Sequence, residues 1–110
     1  MADLSAHWFQ ILLALSDRDL HGLGITKDVL ARTDGRMHLW PGMLYTALRK
    51  MTDAGYVAET AVPASFEVGG GKPRFYRLTP LGRRVCGAEA ERMASLVETA
   101  RARKLIKTAR

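Results

Sequence analysis

Three histidines, one cysteine and scattered carboxylates are the groups in this chain that could bind a metal or do covalent chemistry. Their spacing supports neither. His7, His21 and His38 have no metal-ligand spacing, and no Cys-His or His-Glu pair accompanies them. His21 is expected to serve a turn hydrogen bond. Cys86 is the sole cysteine, so neither an internal disulfide nor a cysteine-cluster zinc site can form. It falls on an apolar helix face, as a small buried hydrophobe would, and Arg83 and Arg84 are its only activating neighbours in sequence. Asp17 and Asp19 flank Arg18 with no nucleophile nearby, so turn chemistry accounts for them. No constellation points to an enzyme, and none implies a metal or a cofactor.

The remaining chemistry is cationic. Lys and Arg number 17 against 11 Asp and Glu, for a net charge of +6 and a pI near 10.0. Such a balance suits an anionic partner such as nucleic acid. The distribution is more informative than the total. Residues 35–52 hold Arg36, Arg49 and Lys50 and no acid. Residues 68–88 hold Lys72, Arg74, Arg77, Arg83 and Arg84 and no acid. Acidic stretches separate them, with Asp53, Glu59 and Glu67 between the two windows. The basic tail (Arg101, Arg103, Lys104, Lys107 and Arg110) fits the negative end of a helix dipole better than a nucleic-acid contact.

The elements that must position these cations can be read from periodicity. Leu4, Trp8, Ile11, Leu12 and Leu15 recur at helical spacing, with Phe9 and Leu13 on another side. They predict a first helix over 3–16 capped by Asp3. Being apolar nearly all round, it must be buried on more than one side, its own core on one and a partner on the other. A turn is expected over 17–24 and a second helix over 24–33, stopped by Asp34-Gly35. The alternation over 36–39 suggests a small strand. Pro41 opens a third helix at its first position, with Leu44, Leu48 and Met51 inward and Gly55 ending it. Strands are expected over 56–62 and 74–78, joined by a glycine-rich loop through Gly69, Gly70 and Gly71. Thr79-Pro80 caps a last helix running to about residue 106.

At 110 residues the chain is one domain's worth of sequence. Hydrophobic residues are 47% and charged residues 25%, an ordinary globular balance. No apolar run approaches a membrane span, the N-terminus lacks a basic leader, and a reduced, cytoplasmic setting is expected.

The expected fold class is mainly α with a small β-hairpin, a winged helix-turn-helix domain over residues 1–79 and a long C-terminal dimerisation helix with a basic tail over 80–110. In that arrangement the third helix enters the major groove and the wing loop lies beside the backbone. The two acid-free windows fall on that helix and that loop. The DNA-contacting set is then Gly42, Met43, Tyr45, Thr46, Arg49 and Lys50 on the helix, with Lys72 and Arg74 on the wing. Cys86, Ala90, Met93, Val97 and Ala100 recur by fours and threes, the spacing of a helix seam. With Leu96, and with Trp8 and Leu12 from the first helix, they form the expected homodimer interface. Trp8 either fills that interface or lines a pocket there for a small planar aromatic effector.

The motifs carry a family resemblance. His21-Gly22-Leu23-Gly24-Ile25, Pro41-Gly42-Met43-Leu44-Tyr45 and Gly55-Tyr56-Val57 occur in order, followed by Gly71-Lys72-Pro73-Arg74-Phe75-Tyr76-Arg77-Leu78-Thr79 and Gly82. The chain thereby resembles the PadR-like transcriptional regulators, in their short branch with a single C-terminal helix. The resemblance implies a homodimeric, ligand-responsive repressor acting on double-stranded DNA, with an inverted repeat as its site. The chain departs from the family pattern at Trp40, where members often carry Ser or Thr, at Met43 for Thr and at Thr46 for Pro. The wing also lacks one basic residue before its aromatic pair. These departures keep a second reading open, a winged-helix module that binds protein or RNA without operator recognition.

Overall fold

The computed structural model describes residues 4–66 and 73–107. Among these residues four helices and a small sheet follow in the order α1 Ala6–Ala14, β1 Leu20–His21, α2 Gly22–Arg32, α3 Pro41–Asp53, β2 Val57–Thr60, β3 Phe75–Leu78 and α4 Pro80–Ala102. This is the expected mainly helical winged-helix arrangement, with one strand more than a hairpin. The strand order is β1-β3-β2, all antiparallel.

The helices start and stop where local chemistry dictates. The Trp8 amide donates to the Ser5 hydroxyl at 3.1 Å, so Ser5 caps α1. The cap expected at Asp3 lies outside the described residues. At the end of α3, Gly55 adopts φ 84° and the Tyr56 amide donates to the Met51 carbonyl at 2.9 Å, a left-handed stop that a side chain would resist. The Thr79 hydroxyl works in two directions. It accepts from the Gly82 amide at 3.0 Å and donates to the Gly55 carbonyl at 2.5 Å, tying the start of α4 to the end of α3. α4 stops short of the expected residue 106, because Lys104 turns left-handed at φ 62° and the Leu105 amide closes back on the Ala100 carbonyl.

Two local expectations are corrected. Leu20 and His21 are not part of a turn. They pair with Tyr76 and Phe75 of β3, a contact far away in sequence. α2 consequently begins at Gly22 rather than residue 24. Residues 36–39 form no strand, and among the described residues no strand pairs with them. Their alternation serves the core instead: Leu39 is buried, the Thr26 hydroxyl donates to its carbonyl at 3.3 Å, and the Met37 amide donates to the Thr33 hydroxyl at 3.0 Å.

One core unites the elements. Ile11 and Leu12 of α1, Ile25 and Val29 of α2, Leu44, Leu48 and Met51 of α3, and Val57 of β2 are all sealed from solvent. Arg32 stitches α1 to α2, pairing with Asp28 at 2.7 Å and donating to the Gln10 side chain at 2.7 Å. His21 makes no side-chain cap to α2. Its ring stacks on Phe75 at 5.1 Å and meets Phe66 edge-on at 4.9 Å, and among the described residues its buried Nδ1 has no hydrogen-bond partner. The expected turn hydrogen bond is thus replaced by aromatic packing.

Candidate nucleic-acid interface

The buried stripe of α3 fixes what its other side can present. With Leu44, Ala47, Leu48 and Met51 inward, Gly42, Met43, Tyr45, Thr46, Arg49 and Lys50 are all exposed. The helical period of 3.6 divides them between two sides. Tyr45 and Arg49 lean toward the sheet. There, with Thr52, Asp53, Glu59, Pro73, Arg74 and Tyr76, they line a cleft of about 480 Å³. Met43, Thr46 and Lys50 lean toward α1. There, with Gly42, Ala47, Ser5, His7 and Trp8, they line a second cleft of about 430 Å³. The exposed cations of α3 therefore stand between the wing on one side and Trp8 on the other.

The sheet-side cleft is electrostatically mixed. Arg74 faces Glu59 at 3.9 Å, both well exposed, so the pair is a weak one. Asp53 enters the same cleft from the last turn of α3. Burial pushes the Tyr76 phenol above its usual range; Glu59 adds to this and Arg74 opposes it. Tyr76 therefore stays a neutral hydroxyl. The two carboxylates were invisible as site residues in the sequence, where they fall in the acidic stretch between the basic windows. The pairing of Glu59 with Tyr76 across the sheet folds that stretch back onto the cations. Strand register was the missing signal.

Trp40 precedes α3 without a side-chain hydrogen bond to it. Its indole is 64% exposed and stacks on His38, with centroids 3.9 Å apart and planes 25° from parallel. Trp8 is half-buried and meets Tyr56 edge-on at 6.2 Å. Lys72 and the loop glycines Gly69, Gly70 and Gly71 lie outside the described residues.

The residues expected at a dimer seam separate into three groups by exposure. Leu12 and Cys86 are buried in the chain's own core, so they offer no surface to a partner. The reason is that α4 already packs on α1 within the chain, and both residues belong to the one core cluster. Burial also pushes the Cys86 thiol up, against the pull of Arg83 and Arg32. Met93 is half-buried against the core, and Ala100 is half-buried as well. Ala90, Leu96 and Val97 are exposed, with Leu96 at 57% and Val97 at 43%. Glu89, unremarked in the sequence, is buried on the same helix, and its carboxylate is held by Arg92 at 2.5 Å. That hydrogen bond holds its pKa below the usual carboxylate range.

Among the described residues no three of His, Cys, Asp and Glu gather as a metal site requires. Nor is any described helix long and apolar enough to cross a membrane.

Comparison with known proteins accords with this geometry. No curated protein matches the chain by sequence. Among solved structures, a transcriptional regulator from Clostridium thermocellum is similar at 24% identity and a TM-score of 0.67, over 91% of this chain and 92% of its own. A PadR family transcription regulator from hypervirulent Clostridium difficile aligns at 19% identity and a TM-score of 0.71, over 89% of this chain and 97% of its own. Bacillus subtilis PadR in complex with operator DNA aligns at 20% identity and a TM-score of 0.63, over 76% of this chain but only 46% of that longer protein. These likenesses concern the fold. The model of the PadR-like family of transcriptional regulators matches residues 11–88, well over half the sequence. The chain belongs to the PadR-like family of transcriptional regulators.

Proposed function

We propose that this regulator binds double-stranded DNA as a homodimer and acts as a ligand-responsive repressor at an inverted repeat. The observation that carries DNA binding is the outward face of α3, where Arg49 and Lys50 stand free of the core and Arg74 of the wing closes a cleft beside Arg49. A recognition helix flanked by a basic wing suits the major groove and its bordering phosphates. Bacillus subtilis PadR, of the same family, has been solved on its operator. In this reading residues 1–79 engage DNA, and the exposed apolar side chains of α4 within 80–110, Leu96 and Val97 foremost, meet a second copy. An effector would sit at Trp8, in the cleft that α1 shares with Met43, Thr46 and Lys50. A planar aromatic molecule stacked there would touch the DNA-facing helix directly, which couples the two binding events.

Fluorescence anisotropy with labelled duplexes at several salt concentrations tests the reading. Salt-sensitive binding with preference among sequences supports it. A second reading, a winged-helix module for a protein or RNA partner, draws on the Asp53 and Glu59 carboxylates in the sheet-side cleft and on the exposed Trp40. Under that reading no duplex is preferred over any other.

A further inference from the structure

The two ends of α3 differ in chemistry. Its trailing half presents Arg49 and Lys50, whereas its leading end presents no charge at all from Trp40 to Thr46. Trp40 and Met43 are two of the ten large apolar side chains left in water among the described residues, at 64% and 38% exposure, and they flank the first turn of α3. The indole stacks on the His38 ring, which widens the flat surface it presents. Gly42 lies between Trp40 and Met43. A β-carbon built on it would meet nothing within 4 Å, so no contact inside the chain requires glycine there. In a helix, glycine is less favourable than alanine. What Gly42 does permit is close approach of an outside surface to the helix backbone.

We propose that the first turn of α3 reads thymine C5-methyl groups in the major groove, with Trp40 and Met43 supplying the apolar contact and Gly42 letting the backbone come close. The inference rests on the DNA-binding reading above and names what that site recognises. The occupant follows from charge complementarity: Arg36 precedes this turn, Arg49 and Lys50 follow it, and no acid lies between residues 35 and 52. A polyanion is drawn to that frame, and the apolar turn inside it faces the groove. Guanine is recognised through its O6 and N7 acceptors, chiefly by Arg or Lys, and adenine by Asn or Gln. The leading turn has none of these. The thymine methyl is the major-groove feature read by apolar contact, which an indole face and a thioether supply.

The test begins by selecting preferred duplexes from a random pool with the full-length chain. Each thymine of the best duplex is then replaced, one at a time, by uracil, which removes only the methyl. At the contacted positions affinity should fall about fourfold, the factor for withdrawing one methyl-sized group from water. In Trp40→Ala and Met43→Ala, thymine and uracil should bind alike at those same positions. Both residues are surface-exposed, and circular dichroism verifies the fold. Gly42→Ala should raise the melting temperature by about 2–6 °C yet weaken duplex binding. Sequence-specific binding that tolerates uracil everywhere, or a uracil penalty undiminished in both variants, would overturn the proposal. A Gly42→Ala chain that binds as tightly as wild type would overturn the role given to Gly42. If the pool yields no preferred duplex at all, the DNA-binding reading itself fails first.

Discussion

The phenol of Tyr45 rests on the backbone of Gly22, so closely that a methyl group on Gly22 would overlap the hydroxyl. A side chain on the exposed surface of α3 is thereby braced by the first residue of α2. Gly22→Ala should displace the Tyr45 ring rather than unfold the chain, because the far end of an exposed side chain can swing away. The expected stability loss is about 1 kcal/mol, the centre of the range for single substitutions. Preference among duplexes should change as it does in Tyr45→Ala, and anisotropy against a panel of duplexes reads this. Gly87→Ala is the control, since a β-carbon there meets nothing.

Charge reversal on the wing should weaken every duplex equally. If Arg49, Lys50, Lys72 and Arg74 of two subunits each hold a phosphate, log affinity should fall with log salt at a slope of roughly −7, from about 0.9 per contact. Lys72→Glu with Arg74→Glu should flatten that slope without altering sequence preference, because phosphate contacts carry no base information. Wild-type affinity in this double variant would reject wing docking.

Glu59→Gln should have the opposite effect. The Glu59 carboxylate faces Arg74 at 3.9 Å in the free protein and would face a phosphate in the complex. Removing its charge frees Arg74 and relieves repulsion. Affinity should rise about two- to fivefold for all duplexes at low salt, within the range of an exposed ion pair. Competition titrations at two salt concentrations separate this from a change in specificity.

Leu12 and Val97 should give contrasting phenotypes. Leu12 is sealed in the core, so Leu12→Ala should cost about 2–5 kcal/mol in denaturant unfolding. Val97 is 43% exposed. Val97→Asp should leave the fold intact and shift sedimentation toward the monomer, since a charge at a paired apolar seam has no partner.

Glu89 predicts a pH dependence. Its hydrogen bond to Arg92 holds the folded pKa below the usual carboxylate value of 4.5. Folding then favours the ionised form, and that stabilisation is complete above about pH 4.5. It is lost as pH falls through the lower, folded value. Melting temperature should drop more steeply between pH 5 and pH 3 in wild type than in Glu89→Gln, where the linkage is absent; these bounds are approximate.

What the sequence made legible follows the range of the forces involved. Pro41, Gly55 and Thr79 act on their immediate neighbours, so α3 and the start of α4 were readable within a residue or two. The pairing of Leu20 with Tyr76 depends on a partner far along the chain, and two residues carry no periodicity, so β1 was mistaken for a turn. Residues 36–39 show the converse error, where alternation came from core packing without a strand. On the site, the exposed side of α3 could be derived from its buried stripe. The carboxylates of Asp53 and Glu59 could not, because only the fold brings them beside Arg49 and Arg74. The same limit hid the placement of Leu12 and Cys86, since helical spacing finds an apolar stripe but not which neighbour covers it.

The overhang of α4 has a mechanical consequence. The helix has 23 residues, about 34 Å. Its buried residues, Gly82, Cys86 and Glu89, all lie in the first half, and from Ala94 to Thr99 every side chain is exposed. It is a lever fixed at one end. The part beyond Glu89 is about 20 Å long, so a tilt of about 10° at the anchored turns moves the free end by about 3 Å. The fulcrum lies against α1, the helix that carries Trp8. Small angular changes at that end would therefore be magnified at the other. In a two-fold pair the distance between recognition helices would inherit the magnified motion, and half-sites one turn apart tolerate little error in that distance.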